Sequence, residues 1–131
     1  MLRKQFFTIL LISWTMFVTF SSLFSFEGVD TSGFHIPHAD KLVHFTFYFV
    51  MAILWVFVLG GHKKKNLLRP LILAFLFSAI YGIFIEVLQV TLTENRHGDI
   101  WDAVANSLGA LIGIGAIGIY IFRYGPLKWK Y

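Results

Sequence analysis

Charge is scarce in this chain. Asp, Glu, Lys and Arg make up 14% of its 131 residues, against about a quarter in an ordinary soluble domain. Cysteine is absent, which excludes a disulfide framework, a thiolate metal site and a lipid-modified cysteine. There is no glycine-rich phosphate loop, so ATP-driven work is not expected. No H-E-x-x-H or similar ligand pair occurs, and neither a metal nor another cofactor is expected. No serine or cysteine motif supplies a nucleophile. The net charge of +4 could suggest nucleic acid, but the basic residues form several short clusters rather than one patch, so nucleic acid is not an expected partner.

Apolar length is what the chain has. Hydrophobic residues make up 57% and the mean hydropathy is +0.72. Four apolar runs, at about 5–26, 42–60, 67–92 and 99–122, approach or exceed the roughly 18–20 residues that cross a bilayer. The expected fold is all-α, a four-helix transmembrane bundle forming a single domain over residues 1–131. The first run follows Arg3 and Lys4. It is longer than the apolar region of a signal peptide and no A-x-A site follows, so it reads as a retained helix.

Lys and Arg alternate with the runs. Two precede the first, four lie in the turn 62–70 (Lys63, Lys64, Lys65, Arg69) and three in the tail (Arg123, Lys128, Lys130). Only Lys41 and Arg96 fall on the other side. The positive-inside rule therefore places both termini and the 62–70 turn in the cytoplasm of a multi-pass protein. All seven acids fall in the outer loops or the outer part of a helix.

Residues 86–113, EVLQVTLTENRHGDIWDAVANSLGALIG, cross from the third run to the fourth through a polar turn. Glu86 and Gln89 lie three residues apart and share a helix face. Beyond the turn, Asp99, Asp102, Asn106, Gly109 and Gly113 recur at spacings of three and four, a polar stripe that grades into a small-residue stripe. On the second run, Lys41, His44, Phe45 and Tyr48 share a face, with Asp40 as a candidate N-cap. At about 1.5 Å per residue, these polar positions fall at one height in an antiparallel bundle. Polar groups inside apolar helices are costly unless buried partners or a function retain them.

The pair of motifs DKLVHF at 40–45 and E-x-x-Q…R-x-x-D-x-x-D-x-x-x-N-x-x-G-x-x-x-G at 86–113 resembles the VanZ-like family of small bacterial multi-helix membrane proteins. That family is named after an accessory protein of glycopeptide (teicoplanin) resistance. The resemblance implies a four-helix protein of the bacterial cytoplasmic membrane with a role in the cell envelope. It marks Lys41, His44, Glu86, Gln89, Arg96, Asp99, Asp102 and Asn106 as the characteristic positions, and it brings no settled activity with it.

Three readings of these positions follow. The leading one is an outward-facing polar pocket that binds an envelope lipid or cell-wall-related amphiphile, with Lys41 and Arg96 on a polar or anionic head and Glu86, Gln89 and Asn106 as floor. The second is a membrane enzyme acting on a lipid-linked phosphate or acyl group at the outer leaflet, with His44 or Glu86 as base. The third is a structural network or accessory of a larger membrane complex. Gly109 and Gly113 permit close helix approach, either within the bundle or to a second copy or protein partner.

Overall fold

A computed structural model describes residues 2–24, 38–60, 64–92 and 98–125. They form four long helices, α1 (Leu2–Leu23), α2 (Ala39–Val58), α3 (Leu68–Leu92) and α4 (Ile100–Tyr124), with a single 3-10 turn at Lys64–Asn66 before α3. No strand occurs among the described residues. Each helix is long and apolar enough to cross a membrane. The first lies about three residues nearer the N-terminus than its apolar run, starting before the basic pair rather than after it.

Named contacts give the directions of the helices. Phe7 stacks on Phe57 and the Trp14 indole donates to the Phe47 carbonyl at 2.9 Å, so α1 and α2 are antiparallel. Tyr81 meets Thr15, and Gln89 meets Ser22, so α3 runs parallel to α1. Lys41 meets Asp102 and His44 meets Asn106, so α4 runs parallel to α2. The bundle is up-down-up-down, and α2 packs most extensively against α4.

Small residues are prominent inside, beside larger ones such as Tyr48, Met51 and Ile85. Ala52, Ala74, Ser78, Gly82, Gly109, Ala110 and Gly113 are buried. Large apolar side chains such as Phe6, Ile9, Ile83, Phe84, Leu111 and Phe122 are exposed. A surface of this kind is stable when its solvent is hydrocarbon. Lipid gives apolar helices no reason to hide from it, so close packing and interhelical hydrogen bonds must hold the bundle. Four threonine hydroxyls follow the same logic. Thr8, Thr15, Thr46 and Thr91 each donate to the carbonyl one turn back at 2.7–2.9 Å, which satisfies them where water is absent.

The α2–α4 seam settles what Gly109 and Gly113 do. A Cβ at Gly109 would fall on the Phe45 carbonyl oxygen, and one at Gly113 would come within 2.6 Å of the Phe49 carbonyl oxygen. Both glycines are buried. Of the two uses open from sequence, they serve the bundle itself, and the small-residue face is already covered by α2.

Gly109→Ala should therefore lower the thermal stability of the detergent-solubilised protein, by on the order of 1–3 kcal/mol or more. Gly115, whose added Cβ would meet nothing within 4 Å, is the control: Gly115→Ala should be neutral or slightly stabilising. Equal melting temperatures for the two variants would contradict this packing.

Candidate functional site

The first residues of α2 and α4 begin the site. The position before α2 is His38, at φ 62° and with no side-chain cap bond. Asp40 is therefore not the N-cap expected from sequence. It sits in the first turn and accepts from Lys41 at 3.1 Å. Asp99 does cap α4: its carboxylate accepts from the Trp101 backbone N–H at 2.9 Å. A capping carboxylate is fixed in place by the helix it starts, and this one is presented to α2.

Lys41 bridges the two helices. Its ammonium donates to Asp99 at 2.9 Å, Asp40 at 3.1 Å and Asp102 at 3.4 Å. An ammonium has three N–H donors, and three carboxylates receive them. The Lys41 hydrogen bond, and then that from the Trp101 amide, hold the Asp99 carboxyl below its ordinary value.

One turn deeper the partners change from charge to hydrogen-bond polarity. Asn106, 1% exposed, lies between His44 of α2 and Glu86 of α3. Its amide nitrogen donates to Glu86 Oε1 at 3.3 Å and its oxygen faces His44 Nδ1 at 3.0 Å. The NH2 is turned to Glu86 and the amide oxygen is left for His44, whose Nδ1–H donates to it. Glu86 Oε1 also lies 3.6 Å from Nδ1, and Nε2 faces Asp102 Oδ2 at 4.0 Å. Gly82 of α3 makes room for this layer: a Cβ there would press on Tyr48 at 3.2 Å and on Asn106 at 3.3 Å.

Six of the eight positions marked from sequence thus meet at one end of the bundle: Lys41, His44, Glu86, Asp99, Asp102 and Asn106. Gln89 turns elsewhere. Its amide donates to the Ser22 carbonyl of α1 at 2.7 Å, tying α3 to α1 rather than joining the floor beneath Lys41. Arg96 lies outside the described residues. Sequence reading missed the third carboxylate on Lys41, having assigned Asp40 to a cap. It also gave Ser22 and Gly82 no role. A small residue one turn before Glu86 was the available signal for Gly82. A concavity of about 1040 Å³ lined by Leu59, Gly60, Lys65, Arg69 and Pro70 lies at the opposite end of the bundle and includes none of these side chains.

The Asp99–Lys41 bond has a pH signature. A carboxyl whose folded value is depressed adds stability above its unfolded value, here 3.8, and loses it as the pH falls through the folded value. Asn caps a helix about as well as Asp, so Asp99→Asn isolates the charge. The melting temperature of wild type should exceed that of Asp99→Asn at pH 7, and the gap should close as the pH is lowered below about 4. A gap that stays constant over that window would contradict the assignment.

Neither a curated protein nor a solved structure matches this sequence. A family model does: the one described as VanZ/LLP1 matches residues 5–123, nearly the whole chain. The four membrane-length helices and that match agree, and the chain belongs to the VanZ/LLP1 family as a multi-pass membrane protein.

Proposed function

We propose that the polar end of the bundle binds the head group of a membrane amphiphile, an envelope lipid or a cell-wall-related precursor, at the outer face of a bacterial cytoplasmic membrane. The orientation in this reading rests on the Lys and Arg distribution, which assigns the 62–70 turn and both termini to the cytoplasm. An envelope role is what the resemblance to the VanZ-like family, named after an accessory protein of glycopeptide resistance, implies.

The observation that carries the proposal is a gradient. Side-chain exposure rises from His44 (8%) through Glu86 (13%) and Asp102 (15%) to Lys41 (27%) and Asp99 (39%). The polar layer therefore leads outward from the bundle interior instead of being sealed within it. Exposed apolar side chains flank it, among them Leu42, Val43, Val87 and Val104, and they offer an acyl chain a surface beside the head-group position. Polar contacts between membrane helices contribute about 0.6–2 kcal/mol each, and a lock for three helices needs fewer ionisable groups than converge here.

The geometry narrows the head group. Lys41 is already shared by three carboxylates, so it is a poor clamp for a bare anion. Acceptor oxygens dominate the described site, which favours a head that donates hydrogen bonds, such as a hydroxyl-rich or amine-bearing one.

Native mass spectrometry of the gently solubilised protein tests this. Wild type should carry a defined lipid mass and Asp102→Ala should lose it while remaining folded. Absence of any defined mass from wild type, or equal retention by the variant, would overturn the proposal and leave the polar layer as a structural lock.

A further inference from the structure

We propose that His44, Glu86 and Asp102 form a binding site for one divalent first-row metal ion of the zinc class. The inference stands apart from the amphiphile reading, because it rests on ligand chemistry alone.

The three residues come from three helices, and one ligand atom of each lies within 4.8 Å of the others. A nitrogen with two carboxylate oxygens is a donor set suited to zinc and its neighbours. Atoms bound tetrahedrally to one ion at about 2.0–2.2 Å stand roughly 3.3–3.6 Å apart. His44 Nε2 and Asp102 Oδ2 are 4.0 Å apart, and Glu86 Oε1 lies 3.6 Å from Nδ1 of the same ring, so both carboxylates turn inward to close on an ion.

Ring orientation is the second observation. Asn106 accepts from Nδ1 while donating to Glu86, so Nε2 is the ring nitrogen turned to the Asp102 carboxylate. Their separation of 4.0 Å is too long for a direct N–H···O hydrogen bond, which runs 2.7–3.2 Å, and it leaves room for an ion between them. A metal-bound histidine is commonly oriented by a carbonyl on its other ring nitrogen, and the Asn106 amide oxygen occupies that place. The neighbouring trio Asp40, Asp99 and Asp102 also has metal-like spacing, but the Lys41 ammonium already stands among its oxygens and leaves a second cation no place there.

Helix geometry explains why no motif announced the site. Zinc motifs visible in sequence place two ligands on one helix or loop. Here each helix supplies a single ligand, and only the bundle brings the three together. Three protein ligands leave a coordination position for water or a substrate oxygen.

The test uses the full-length protein with any affinity tag removed, stripped with chelator, incubated with Zn2+ and desalted. Elemental analysis should find about one ion per chain in wild type. Asp40→Asn should retain it, and His44→Ala and Asp102→Asn should lose it. Asn106→Leu, which only releases the imidazole, should weaken binding roughly 10–100-fold. Co2+ in place of Zn2+ should give wild type the visible spectrum of mixed nitrogen and oxygen ligation, which keeps the test decisive if a variant fails to fold. A wild type that retains no ion, or a folded His44→Ala that retains as much as wild type, would overturn the inference. A lipid mass retained without metal would remove this site and leave the amphiphile reading intact; metal retained without lipid would do the reverse.

Discussion

Two backbone carbonyls of α2, at Phe45 and Phe49, occupy the space where side chains on α4 would begin. Gly109 and Gly113 are the residues that permit it. The rest of the polar end follows from this contact. With α2 and α4 in register there, Asn106, one turn before Gly109, meets His44, one residue before Phe45. Asp102 and the cap Asp99, a further turn up, meet Lys41. A bilayer supplies no hydrophobic force between helices, so the seam has to be built from close approach and satisfied polar groups. The same stripe of α4 provides both.

Much of this was readable from residue spacing. The four apolar runs gave the four helices, and the interval of three and four through Asp99, Asp102, Asn106, Gly109 and Gly113 gave one continuous face. Spacing identifies a face without saying which neighbour it meets. Glu86 and Gln89 share a side of α3, yet Glu86 meets Asn106 of α4 and Gln89 meets Ser22 of α1, because α3 is wedged between those two helices. Asp40 shows a second limit. Its side chain suits an N-cap, but α2 begins earlier, and the carboxylate, now in the first turn, binds Lys41 instead. Single donors on separate helices leave no local metal motif, so spacing put His44, Glu86 and Asp102 at one height without naming a ligand for them.

The chemistry of the polar layer lies in its direction. Starting from a carboxylate that can only accept, the donors and acceptors run Glu86, Asn106, His44, and each link fixes the next. At the far end the imidazole turns Nε2 toward a second carboxylate. In water the gap between them would be filled by solvent at little cost. At the end of an apolar bundle, with Nε2 unprotonated, an acceptor facing an acceptor is expensive unless something positive or proton-bearing stands between them. A head group that donates hydrogen bonds and a metal ion both meet that requirement, and a metal ion would also let the site take an anionic oxygen that the carboxylates alone would repel.

The cation site needs Nε2 of His44 free of a proton, and that is the measurement to make. Nitrogen NMR of the protein with isotope-labelled histidine, in bilayers at neutral pH and with the His44 signal identified by its loss in His44→Gln, reads it directly. The account predicts a protonated Nδ1 and an Nε2 without a proton. A proton on Nε2, alone or together with one on Nδ1, would contradict it.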